Sequence, residues 1–65
     1  MIKVSEAVYN GLVAVRDSGE TNMIDYQTVM ELALDYGYTE TVDWMEGHKS
    51  EYAKGIFEGF EIGEE

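Results

Sequence analysis

The feature that most constrains this fold is its punctuation by glycine. Gly19, Gly37, Gly47 and Gly59 each follow a stretch whose apolar residues recur at helical spacing. Glycine enters the left-handed conformation without steric cost, so a glycine just past a helical run marks where the last carbonyls are capped. The intervals leave room only for short helices. The chain therefore reads as all-α, a compact bundle of three to four short helices at about residues 5–17, 26–36, 40–47 and 50–59. Proline is absent, and no repeat, linker or low-complexity segment divides residues 1–65, which form one small helical domain. Gly11 and Gly55 fall inside predicted helices. There a glycine costs about 1 kcal/mol against alanine, so each either permits close helix approach or marks a weak point.

Within the first segment Ser5 is a good N-cap, with Val4 placed to pack on Tyr9 as a hydrophobic staple. Val4, Val8, Leu12 and Val15 make one face, and Arg16 in the last turn suits the helix dipole. In the second segment Tyr26, Val29, Met30, Ala33 and either Tyr36 or Leu32 face inward. Glu31 and Asp35 lie four apart on the outer face, beside Gln27 or Thr28, as a mildly destabilising like-charge pair. After Gly37, Thr39 or Thr41 caps a third helix holding Val42, Trp44 and Met45, which Gly47 and His48 interrupt. Ser50 then caps a last helix with Tyr52, Ala53, Ile56, Phe57 and Phe60 at helical spacing. The acidic, glycine-rich tail at 61–65 is expected to fray. Strand signals are weak, the short "IKV" at the start being the one candidate.

The segment "TNMID" looks at first like a presented motif. Asp25 reads instead as an N-cap whose carboxylate accepts from the free amides of the next turn. Ile24 before it and Val29 at the fourth helical position would complete a staple. Glu20 to Ile24 then form a tight inter-helix turn, with Met23 plugging the core. Asn22 either satisfies backbone groups of that turn or contacts a partner.

Sixty-five residues bury little core. A domain near this size buries only about 60% of its unfolded surface, so its stability is marginal without help. No cysteine is present to form a disulfide or a cysteine-based zinc site, and one histidine cannot build a histidine-rich metal cage. Self-association as a homodimer is the remaining aid. No apolar run approaches the roughly 18 residues of a membrane helix, and no signal peptide opens the chain. The expected protein is soluble and intracellular, with no cofactor and no membrane contact. Its charge is extreme: fourteen acidic residues face four basic ones, for a formal net charge of −10. That field repels nucleic acid and membrane surfaces, whose affinity comes largely from Lys and Arg, and it favours a partner with a basic surface. Solubility alone would also account for it.

Sequence motifs bring little chemistry. Asp35, Asp43 and Glu46 stand at the first, ninth and twelfth places of a calcium-loop spacing, but Gly37 and Thr39 occupy the third and fifth, and Glu40 the sixth, where glycine is required. No calcium site is expected. Ala33, Gly37 and Val42 follow a helix-turn-helix pattern, yet "TETVDWMEG" as a recognition helix carries three acids and no base. Nucleophilic catalysis requires a base, and His48 is the one candidate. No catalytic constellation stands out, and an enzyme is not expected. Trp44 and the tyrosines serve mainly as core, any exposed ones as interface anchors.

The run from Leu12 to Phe60 resembles the family of short proteins called domain of unknown function 5049. Its carriers are Val15, Arg16 and Gly19, then Thr21, Asn22, Met23 and Asp25, then Val29, Ala33 and Gly37, and finally Val42, Glu46, Tyr52, Ile56 and Gly59. "TNM-x-D" is the specific part. The chain departs at Ile24, where phenylalanine is common, and at Thr41, where leucine is. The resemblance transfers no functional residue. It implies an origin in phages or mobile elements of Gram-positive bacteria, and so a bacterial cytoplasm as the working compartment.

Together these readings point to a non-catalytic acidic protein-binding module. It would engage and inhibit a host protein, such as a defence nuclease, through Glu31, Asp35, Glu40, Asp43 and Glu46 as a mimic of DNA. The alternative is a small helix-turn-helix-like regulatory or assembly protein of a phage. That reading requires a shared basic patch of Lys3, Arg16, Lys49 and Lys54.

Overall fold

Ser5 starts the first helix as its residue type predicts, its hydroxyl accepting from the Val8 amide at 3.3 Å. The helix it opens, α1 (Glu6–Ser18), belongs to a computed structural model that describes residues 1–63. A three-residue strand, β1 (Ile2–Val4), precedes it; α2 (Tyr26–Asp35), α3 (Thr39–Gly47), α4 (Lys49–Glu58) and a second strand, β2 (Phe60–Ile62), follow. The bundle is helical as expected, with a small parallel strand pair laid against it.

Val4, Val8, Leu12 and Val15 are all buried and meet Val29, Ala33, Met45 and Tyr52 in one core. Helix α3 packs on both α1 and α2. Thr41 is the one fully buried polar residue among the described residues, and it is not a cap. Its hydroxyl lies 3.2 Å from the Val8 carbonyl and 3.4 Å from that of Ala7, tying α3 to α1. Gly11 lies directly opposite. A Cβ at Gly11 would overlap the Thr41 side chain, so the glycine is there for close approach. Gly55 does the same for the ring of Phe60.

Three glycines carry a positive φ: Gly19 at 69°, Gly37 at 89° and Gly59 at 94°. Around Gly37 the Tyr38 amide bonds to the Ala33 carbonyl at 2.8 Å and the Gly37 amide to that of Leu34 at 3.0 Å. That pair of bonds is a Schellman cap. Gly47 differs from the expectation. It is the last residue of α3 and has no positive φ. The break belongs to His48, whose extended φ of −137° ends α3 and starts α4.

Several local expectations are corrected. Neither Thr39 nor Thr41 caps α3, and Ser50 does not cap α4, which begins at Lys49; the flanking Tyr38 and His48 give no side-chain cap bond. Phe57 does not face inward but is 88% exposed, and Ile24, 68% exposed, forms no staple over the fully buried Val29. The tail expected to fray from residue 61 instead pairs as β2, with Ile2 opposite Phe60, Lys3 opposite Glu61 and Val4 opposite Ile62. The two ladder extensions are the Ile2 amide on the Gly59 carbonyl and the Gly63 amide on that of Val4, each at 3.0 Å. Glu64 and Glu65 lie outside the described residues.

Candidate functional site

At about 100° per residue, Glu40, Asp43 and Glu46 fall within roughly 120° of arc on α3, opposite its buried Thr41 and Met45. On α2, Glu31 and Asp35 likewise oppose Val29 and Ala33. All five carboxylates are exposed. They occupy the outer faces of two helices that pack on one another. Gln27 donates to Glu31 at 3.4 Å, and no other bond restrains the five among the described residues.

Lys3 borders a groove that Glu40 also lines, but no cation pairs with any of the five carboxylates among the described residues. Among the described residues the ion pairs are the N-terminal ammonium with Glu58 at 3.6 Å, Arg16 with Asp17 at 3.4 Å, and His48 with Glu51 at 4.0 Å when the imidazole is protonated. The acidic faces of α2 and α3 therefore stay unneutralised from within. Nor do their carboxylates converge: no group of three or more acidic, histidine or cysteine side chains could hold a metal ion among the described residues. Dispersed exposed carboxylates can accept hydrogen bonds from guanidinium and ammonium groups spread over a partner's surface. Lys3, Arg16 and Lys49 border three different grooves, and Lys54 is exposed without lining any of them, so no one groove gathers the four basic residues.

The turn before α2 is built by its own side chains. Asn22 Oδ1 accepts from the Ile24 amide at 3.0 Å and its carbonyl from the Asp25 amide at 2.9 Å. This is an Asx turn, the backbone-satisfying role weighed for Asn22. Asp25 is the expected N-cap, taking the Thr28 amide at 3.3 Å and its hydroxyl at 2.8 Å. Met23 packs partly buried against the core, and its carbonyl accepts from the Tyr52 hydroxyl. Burial, with Asp25's charge as a lesser cause, pushes the Tyr52 phenol up to about 12. Thus "TNMID" is chiefly a joint, fastened to α4 through Tyr52.

Trp44 is half-buried, edge-on to Phe60 and stacked on His48 at 4.9 Å between ring centres. The His48 Nδ1 lies 2.8 Å from the Trp44 carbonyl, which can only accept, so Nδ1 carries the hydrogen.

One surface was missed by reasoning from sequence. Ile24, Tyr26, Lys49, Tyr52, Ala53, Ile56 and Phe57 line an open groove of about 240 Å³. The signal was available: on a helix Phe57 points about 140° away from Tyr52, too far round for both to face one core.

A family model described as Domain of unknown function (DUF5049) matches residues 4–60. No curated protein and no solved structure matches the chain.

Proposed function

Because the chain belongs to the family Domain of unknown function (DUF5049), a family defined without an activity, we propose its role from its surface: it is a non-catalytic acidic module that binds a basic protein. One observation carries this. Glu31, Asp35, Glu40, Asp43 and Glu46 stand exposed on adjacent helices, outside every ion pair among the described residues. Leaving them unpaired within a chain of net charge −10 sets up repulsion that a basic partner would relieve. Spread along two helix faces, the charges suit an extended basic groove of the kind that holds nucleic acid. A host nuclease of a bacterial defence system is the concrete form of this reading, with the bacterial cytoplasm as its setting and phages or mobile elements as its source.

The test is capture from bacterial lysate by the chain and by a variant in which the five acids become amides (E31Q, D35N, E40Q, D43N, E46Q). The expected result is a basic protein retained by the former at low salt, released as salt rises, and not retained by the latter. Equal retention by both chains, or no specific protein at all, defeats the reading.

The helix-turn-helix alternative has one favourable observation, the three residues Tyr36 to Tyr38 that join α2 to α3. A DNA-binding version has less to draw on, since the bases it requires are scattered and its recognition helix is acidic. Salt-sensitive binding of duplex DNA by the purified chain would favour it.

A further inference from the structure

The groove beside α4 is unlike the rest of this acidic exterior. The side chains lining it are apolar or aromatic except for Lys49, and no carboxylate is among them. Phe57 on its rim is 88% exposed and Ile24 68%. The Lys49 ammonium lies 5.3 Å from the centre of the Tyr26 ring, a cation–π contact that partly occupies its charge. On the helix wheel Ala53 lies between Lys49 and Phe57, while Glu51 and Glu58 point about 160° and 140° away from Ala53. A chain carrying fourteen acids repels its own copies over most of its surface, and this groove has no carboxylate in its lining, the nearest in the chain being Asp25 between Ile24 and Tyr26.

We propose that this groove is the contact between two copies of the chain, with α4 antiparallel to the partner's α4 about a two-fold axis near Ala53. The occupant follows from charge and shape together. A basic protein gains nothing from a surface whose lining charge is Lys49, whereas a second copy meets it with no carboxylate in either lining, each Lys49 free to offset the flanking Asp25. Shape makes the contact reciprocal. The protruding ring of Phe57 and the groove that would receive it belong to the same face, so one rotation seats each ring in the other copy's groove, as an isologous interface requires. The small side chain of Ala53 lets the helix axes approach. A groove of about 240 Å³ has room for one ring, given that cavities near 150 Å³ accept benzene. Interfaces of standard size take about 800 Å² per partner, roughly a fifth of this chain's 4113 Å² of accessible surface. A contact centred on one ten-residue helix is smaller, so the dimer is weak and concentration-dependent.

Sedimentation of the purified chain from micromolar to millimolar concentration tests this. The expected result is a reversible shift from monomer to dimer. Phe57→Asp should raise the dissociation constant by about tenfold or more, as loss of a central aromatic anchor does, and Ala53→Arg should do the same. Both positions are exposed, so far-UV circular dichroism and melting of the dilute monomer should be unchanged, which separates lost association from lost folding. Glu51→Lys, on the far side of α4, should leave association intact or strengthen it. The Phe57→Asp chain should still capture the basic protein, and the five-amide variant should still dimerise, so the two proposals fail independently. A chain monomeric throughout, or a Phe57→Asp chain that dimerises like the unaltered one, overturns the proposal. If the unaltered chain stays monomeric while Phe57→Asp loses a co-purifying protein, the groove belongs to a different partner.

Discussion

Thr41 and Gly11 show how little room the core leaves. The Thr41 hydroxyl is satisfied only because α1 passes close enough to offer the carbonyls of Ala7 and Val8, and α1 can pass that closely only because residue 11 lacks a Cβ. Gly11→Ala would gain about 1 kcal/mol of helix propensity. Against this stand overpacking, worth about 1–3 kcal/mol, and the strain or loss of two hydrogen bonds to a buried group. The loss wins: chemical denaturation should show a net destabilisation of about 2 kcal/mol, and an unchanged midpoint would mean the contact is looser than it looks. Tyr52 gives a second residue-level expectation. Its phenol ionises at about 12 in the folded chain against 10.0 ordinarily, because burial, then Asp25, oppose the charge. A group raised on folding contributes stability that is fully present below its unfolded value and lost as pH climbs through the folded one. Stability attributable to Tyr52 should therefore fall between about pH 10 and 12, by roughly 2 kcal/mol in total. Tyr52→Phe should flatten that part of the stability–pH curve while costing about 1 kcal/mol at neutral pH for the lost bond to Met23.

At the scale of elements, what could be read from sequence was what a single segment decides for itself. Ser5 and Asp25 cap because their side chains reach amides three residues on, and Gly37 ends α2 because the left-handed conformation suits it. What could not be read depended on distant segments. Thr41 looked like a cap and is a tie to α1; Phe57 shared a period with its neighbours and faces out. The strand pair joins residues at opposite ends of the chain: "IKV" was the one candidate and is β1, whereas the three residues of β2 carry too little pattern to announce themselves. Periodicity placed Glu31 and Asp35 on an outer face, and all five carboxylates are exposed; the apolar groove needed Ile24 and Tyr26, at the start of α2, brought against α4. Two substitutions separate a real cap from an apparent one. Asp25→Ala should cost about 1 kcal/mol and Ser50→Ala less than about 0.5. Equal costs would show that Ser50 has an unseen role at the start of α4. Phe60 is the anchor of the strand pair, fitted over Gly55 and against Trp44 and Tyr52. Phe60→Ala should cost about 2–3 kcal/mol, and hydrogen exchange at the Ile2 and Gly63 amides should quicken beyond the global effect.

For the whole molecule, charge sets stability and the proposed function against each other. Its Cα atoms have a radius of gyration of 10.4 Å and extents of 28 × 22 × 20 Å. An unfolded chain of this length has a radius near 24 Å, so folding concentrates the excess of acids severely. The Debye length is about 30 Å at 0.01 M salt and about 10 Å at 0.1 M. At the lower concentration every carboxylate feels nearly every other across the molecule, and at the higher only its neighbours. Melting temperature should therefore rise by several degrees over that interval, a 1 kcal/mol gain being worth about 4–8 °C in so small a domain. The five-amide variant changes the net charge from −10 to −5. It should melt higher in low salt and respond less to added salt. A functional surface is often kept at the expense of stability, and this variant measures both sides of that relation. If the amides stabilise the chain and abolish capture of a basic protein, the charge is held for binding. If they stabilise it and capture persists, the acids serve solubility alone, and the search for a working surface moves to the groove beside α4.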